Sequence, residues 1–207
     1  MHMSTGSNSG SDSAQTAAQD LQERLRLATP EFTTRGFLFS SMLKAVKELG
    51  GDDEVVRRCL EASGETSFVE FFHYPTRSLL LLISTAAEAL SGRYGSVEEV
   101  LRQMGARGGE SYMDTPVGRA VLQQTGTRPQ RLMFALQTLY EGLTSYGKPV
   151  LSFPRLDQGV LSVQASFMPL AYHEGSIEAI SRRMGLTPVS IRARWTGPLS
   201  LDLECSW

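Results

Sequence analysis

The chain has 207 residues, 41% of them apolar, and a formal net charge of -2. This is enough to bury a core in one domain, and the charge is too balanced for a nucleic-acid surface. No apolar run reaches the ~18 residues of a membrane span, the longest being Leu79 to Ile83.

The N-terminal stretch to Thr16 is rich in Ser, Gly and Asn, with no basic segment followed by an apolar one. It has nothing to bury and reads as a flexible tail rather than a secretory signal. Residues 14–28 can form a lead-in helix with a thin apolar face of Leu21, Leu25 and Leu27, closed by Thr29-Pro30. The tail is assigned to 1–32 and a single folded domain to 33–207.

Phe39, Met42, Leu43, Val46 and Leu49 recur at spacings of three and four, a helical stripe ended by Gly50-Gly51. Asp52-Asp53-Glu54 opens the next helix with carboxylates at the positive end of its dipole, and Ser63-Gly64 stops it. The aromatic stretch from Phe68 to Tyr74 leads into Pro75, which suits the first turn of a helix running to about Leu90. Ser96-Val97-Glu98-Glu99 is a capping box for a shorter helix ending at Gly105. A further helix spans Gly108 to Gln124, broken near Thr115-Pro116. Another starts at Pro129, with its stripe on Leu132, Leu136, Leu139, Tyr140 and Leu143.

Past Tyr146-Gly147 the period becomes two. Val150–Phe153 and Val160–Met168 read as a hairpin, the second strand turning Leu161, Val163, Ala165 and Phe167 inward and Ser162, Gln164 and Ser166 outward. A helix over His173 to Gly185 follows. A terminal hairpin then runs from Val189 to Trp207 about Gly197-Pro198, with Trp195 and Trp207 on the buried face and Arg192 opposite Asp202. The fold class is therefore α+β: a helical layer, then a strand-strand-helix-strand-strand antiparallel sheet.

In order, Arg35-Gly36-Phe37-Leu38-Phe39, Gly50-Gly51, Tyr74-Pro75, Gly105, Thr115-Pro116-Val117-Gly118-Arg119, Tyr146-Gly147 and Trp207 resemble a myxobacterial paralogous family of small proteins of unknown function. The resemblance covers about residues 33–207. That family is distantly similar to four-vinyl-reductase-like and haem-nitric-oxide-binding sensor domains, which implies a pocket between helices and sheet. Zinc-binding relatives use several cysteines near the last helix and hairpin; here only Cys205 is present. Haem-binding relatives need a proximal His and a Tyr-x-Ser-x-Arg run, which Tyr74-Pro75-Thr76-Arg77-Ser78 does not match. Neither group is carried over, and no cofactor is assigned.

Cys59 and Cys205 are far apart, without CxxC or a nearby His, so they read as buried apolar residues in a reducing, cytoplasmic setting, and no metal site is assigned. No G-x-S-x-G or phosphate-binding loop occurs, and no catalytic residue is assigned. His73 and His173 each sit beside a tyrosine. The reading places Phe72, His73 and Tyr74 on one wall of a pocket and Tyr112, Tyr140 and His173 on the other, for a small, mostly apolar ligand. The function that follows is a non-enzymatic sensory or ligand-binding module. The alternative is an interaction adaptor with a filled core, partnered by another protein or by a second copy.

Overall fold

The computed structural model describes residues 20–186 and 189–207. Residues 20–27 form helix α1. Then come β1 (Thr33–Arg35), α2 (Gly36–Glu48), α3 (Asp53–Ser63), β2 (His73–Pro75), α4 (Thr76–Tyr94), α5 (Val97–Met113), α6 (Pro116–Thr125) and α7 (Pro129–Leu143). The second half is β3 (Pro149–Arg155), β4 (Gln158–Val163), α8 (Leu170–Arg183), β5 (Ser190–Gly197) and β6 (Ser200–Ser206). The fold is the α+β arrangement expected: a helical layer, then an antiparallel four-stranded sheet in the order β3-β4-β6-β5 with α8 inserted between its hairpins.

The helix boundaries have local causes. Asp52 caps α3 by accepting from the Val55 amide at 2.9 Å, and Gly64 ends it in the left-handed region. Ser96 caps α5 through the Glu99 amide at 3.1 Å. Thr115 caps α6 through the Gly118 amide at 3.0 Å, with Pro116 in the first turn.

The expected stop at Gly105 does not occur; α5 runs on to Met113. Its glycines serve packing instead. A Cβ at Gly105 would collide with the Tyr172 carbonyl oxygen, one at Gly109 would lie 2.6 Å from the Ser176 carbonyl oxygen, and one at Gly175 would collide with the Arg102 carbonyl oxygen. Helices α5 and α8 therefore cross backbone against backbone. Arg102 ties the crossing by pairing with Glu174 at 2.8 Å, and the other Glu174 oxygen accepts from the Ala193 amide of β5.

Helix α5 also joins two apolar clusters. Val100 and Met104 belong to the first, with Phe39, Met42, Leu79, Ile83 and Phe167. Tyr112 and Met113 belong to the second, with Leu132, Met133, Ile177, Ile180, Leu201 and Leu203, between α7, α8 and the sheet. Cys59 and Cys205 are buried within these clusters, and burial pushes their thiols up to about 11 and about 12.

Three expectations change. The terminal hairpin pairs Arg192 with Glu204 and Arg194 with Asp202, two residues from the expected register. The turn is Pro198-Leu199, with Leu199 at φ 58° and an irregularity between Trp195 and Gly197 that shifts the pairing. The shift is even, so Ala193, Leu201, Leu203 and Cys205 stay inward, while Trp195 and Trp207 are half-buried at the cluster edge. Arg194 bonds both Asp202 and Glu204 at 2.9 Å. Strand β4 ends at Val163, because Ala165 takes φ 58° and the Ser166 amide bonds the Leu199 carbonyl at 2.6 Å. Finally, residues 20–28 are part of the packed body: Arg24, Leu25 and Ala28 are buried, and Arg77 donates to the Leu25 carbonyl at 2.6 Å.

Gly175→Ala should destabilise the fold by about 1–3 kcal/mol through overpacking. Gly92→Ala, in open space on α4, should stabilise it by about 0.5–1 kcal/mol. Urea denaturation of both variants checks this; a neutral Gly175→Ala would mean that α5 and α8 separate at little cost.

Candidate functional site

A cavity of about 80 Å³ lies between the helical layer and the sheet. Phe37 and Leu38 come from α2, Gly108, Gly109 and Tyr112 from α5, Leu136, Leu139 and Tyr140 from α7, and His173, Ser176 and Ile177 from α8; Leu161 and Leu203 form the sheet side. The missing side chains at Gly108 and Gly109 thus serve twice, admitting α8 and leaving room in the wall.

The polar part of the wall centres on His173. The residue is 8% exposed, and its Nε2 lies 3.0 Å from the hydroxyl of Ser166, which is fully buried. Tyr140 lies nearly parallel to the imidazole with centroids 6.2 Å apart, and its hydroxyl faces Ser166. Burial, with the nearby Arg24 charge second, lowers the His173 pKa to about 3, so the ring is neutral. Burial also raises the tyrosine hydroxyls of Tyr140, Tyr146 and Tyr172, which stay protonated.

Ser166 sits on the connection that α1 grips. Arg24 donates to the carbonyl oxygens of Phe167 at 3.1 Å and Ser166 at 3.4 Å, pairs with Asp20 at 2.7 Å, and stacks 4.2 Å from the Trp195 ring centre. A contiguous path therefore runs from the cavity through His173, Ser166 and Arg24 to the outer face of α1.

Of the residues expected at the site, Tyr112, Tyr140 and His173 line the cavity. The structure does not bring Phe72, His73 and Tyr74 to it. Tyr74 packs with Phe39 and Phe68, and its hydroxyl accepts from the Val69 amide at 2.9 Å. His73 is exposed on the two-stranded β1–β2 ribbon, where it pairs with Arg35. Phe72 is 55% exposed beside Phe71. Sequence reasoning missed Ser166, which strand alternation assigned to solvent, and Arg24, which lay in the presumed tail. Neither carries a sequence signal, because both depend on the turn at Ala165.

A family model described as "Protein of unknown function (DUF2378)" matches residues 27–207. No curated protein matches in sequence. Solved structures share the fold. One is an Fe(II) unliganded H-NOX protein from K. algicida, 12% identical over 83% of this chain and 95% of that one, with a TM-score of 0.59. Another is an oxygen-binding H-NOX domain related to soluble guanylate cyclases, 14% identical over 83% and 94%, with a TM-score of 0.58. A Cs H-NOX mutant is 15% identical over 83% and 95%, with a TM-score of 0.62. At these identities the likeness is one of fold.

The residues here do not fit a haem. As it stands, the cavity of about 80 Å³ has no room for a porphyrin. The one histidine in the wall has its Nε2 engaged by the Ser166 hydroxyl. Among the described residues no three His, Cys, Asp or Glu side chains gather to hold a metal ion, and no helix is long and apolar enough to cross a membrane.

The buried neutral imidazole sets an acid limit. The unfolded chain takes up a proton near pH 6.5 and the folded chain does so only near pH 3. Stability is therefore full above 6.5 and falls by about 1.4 kcal/mol per pH unit below it. Denaturant titrations at pH 7.5 and pH 5 should show wild type losing about 2 kcal/mol more than His173→Gln. Equal losses would place the imidazole in contact with water.

Proposed function

Because the chain belongs to that DUF2378 family of unknown function, we propose its activity from the site: a ligand-responsive regulatory module whose cavity takes a small, mostly apolar molecule. The observation that carries this reading is the void itself. The interface of helices and sheet is not packed solid; it holds an apolar space with one neutral, hydrogen-bonded imidazole in its wall. Such a wall suits orientation of a ligand by one or two polar contacts. The fold shared with H-NOX domains supports the same reading.

On this reading His173, Tyr140 and Tyr112 contact the ligand, and Ser166 reports it. A ligand group that hydrogen-bonds His173 competes with the Ser166 hydroxyl, and Ser166 is held by Arg24 of α1. The response is a change in how α1 docks, sensed by Trp195 beneath the Arg24 guanidinium.

An adaptor role has an observation of its own. Phe134 and Phe153 lie 5.8 Å apart on the exposed side of α7 and β3, and Leu156 at the β3–β4 turn is 96% exposed. This patch is separate from the cavity.

Native mass spectrometry of untagged protein purified from its own cells separates the two. The ligand reading expects a mass excess that is released on denaturation and is absent from Leu136→Trp, which fills the cavity. A bare mass together with self-association that Phe153→Ser abolishes would favour the adaptor.

A further inference from the structure

Outside the cavity lies an open groove of about 420 Å³, within the ~300–1,000 Å³ usual for small-molecule sites. Phe37, Tyr112, Leu139 and Leu143 line both spaces. The same four side chains therefore form the partition between groove and cavity. All are carried on helices, and Leu139 and Phe37 are only partly buried.

The groove is mostly apolar, with Arg35, Glu70, Thr115 and Thr138 as the polar members of its lining. Phe71, exposed by 69%, forms one lip. Arg35 is the only cationic side chain lining it, and its Nε is buried with no hydrogen-bond partner among the described residues. A guanidinium offers five donors, and a buried donor left unpaired is costly. The start of α2 does not supply an alternative anion site, because the Gly36 and Phe37 amides already bond the Phe72 and Glu70 carbonyls at 2.8 and 2.9 Å. Glu70 also lines the mouth, but it is exposed and forms no ion pair with Arg35 among the described residues.

We infer that groove and cavity form one site for an amphipathic monocarboxylate, with its carboxylate on Arg35 and its alkyl tail directed past Leu139 and Phe37 toward His173. This rests on the ligand-binding reading above and names its ligand class. Chemistry and shape agree: a guanidinium whose Nε has no hydrogen-bond partner among the described residues suits a carboxylate through charge-assisted hydrogen bonds, and a flexible chain suits the mostly apolar lining behind it. The Arg35 backbone is fixed by pairing with His73 across β1–β2. The anchor is thus placed on an ordered element rather than on a free loop.

Calorimetric titration of the full chain with decanoate, 1-decanol and decyltrimethylammonium tests this. Decanoate should bind about tenfold or more tightly than either of the others, the scale of one charge-assisted contact. Arg35→Gln should weaken decanoate about tenfold and leave 1-decanol unchanged. Leu139→Trp should abolish binding of both, with thermal unfolding confirming that the variants are folded. The comparison of the three probes on wild type needs no variant. Equal affinity for decanoate and 1-decanol, tighter binding of the cation through Glu70, or full decanoate affinity in Arg35→Gln would each overturn the anchor. The cavity reading would survive these results. Failure of all three probes to bind overturns the proposal too; the cavity reading is then decided separately by the retained mass in native spectra.

Discussion

The backbone-to-backbone crossing of α5 and α8 is the constraint on which the rest of the structure depends. Gly105, Gly109 and Gly175 each stand where a Cβ would meet a carbonyl of the opposite helix. Glycine in a helix interior costs about 0.5–1 kcal/mol relative to alanine, and three such positions are retained in these two helices. The return is close approach. It brings Tyr172 and His173 under the helical layer, and it lets α8 cover the sheet while α5 stays bound to both apolar clusters. Had either helix carried ordinary side chains at these positions, the layers would stand further apart and the His173–Ser166 pair would not be sealed from water.

That sealing sets the chemistry. A neutral imidazole with a lowered pKa is a weak base that stays uncharged, and a good fixed hydrogen-bonding group in an apolar wall. The same burial holds the neighbouring tyrosines protonated. The cavity therefore presents hydrogen-bonding groups without net charge. The nearby charges are kept apart from it: Arg24 is spent on two carbonyls, Asp20 and the face of Trp195, and Arg35 stands at the outer mouth. On the proposed reading, an apolar interior with a cation outside suits a ligand that is apolar at one end and anionic at the other.

Much of this fold was legible in the residues, and the reasons differ by element. The α3, α5 and α6 starts were readable because Asp52, Ser96 and Thr115 cap through local geometry. The faces of β6 were readable because alternation survives a shift of two residues, whereas the register was not, since it turned on Leu199 adopting a positive φ within the turn. Gly105 misled for a physical reason: glycine marks helix ends and helix crossings alike, and only the partner helix tells them apart. Of the residues proposed for the site, Tyr140 lay on a readable helical stripe, whereas Tyr112 and His173 were named as tyrosine and histidine tips of an expected pocket; all three line the cavity. Tyr74 was misplaced because an aromatic cluster with Phe39 and Phe68 uses the same residue types as a pocket wall. Ser166 and Arg24 had no pattern to betray them.

On the proposed reading, Ser166 is where the cavity connects to the surface. It lies where β4 has ended and α8 has not begun, and it is bonded by its amide to the terminal hairpin turn at Leu199, by its hydroxyl to His173 and by its carbonyl to Arg24. Three elements remote in sequence meet at one residue: the lead-in helix, the cavity-lining helix and the last hairpin. A displacement there cannot be absorbed locally, because the hydroxyl, amide and carbonyl are all engaged in a fully buried setting. It must move α1, move the hairpin turn, or break a buried hydrogen bond at a cost of about 1–3 kcal/mol. Helix α1 is the shortest of the described helices and is tied to this residue by Arg24. Coupling on the proposed reading thus runs along these contacts, from His173 through Ser166 to Arg24 of the helix that begins the described chain.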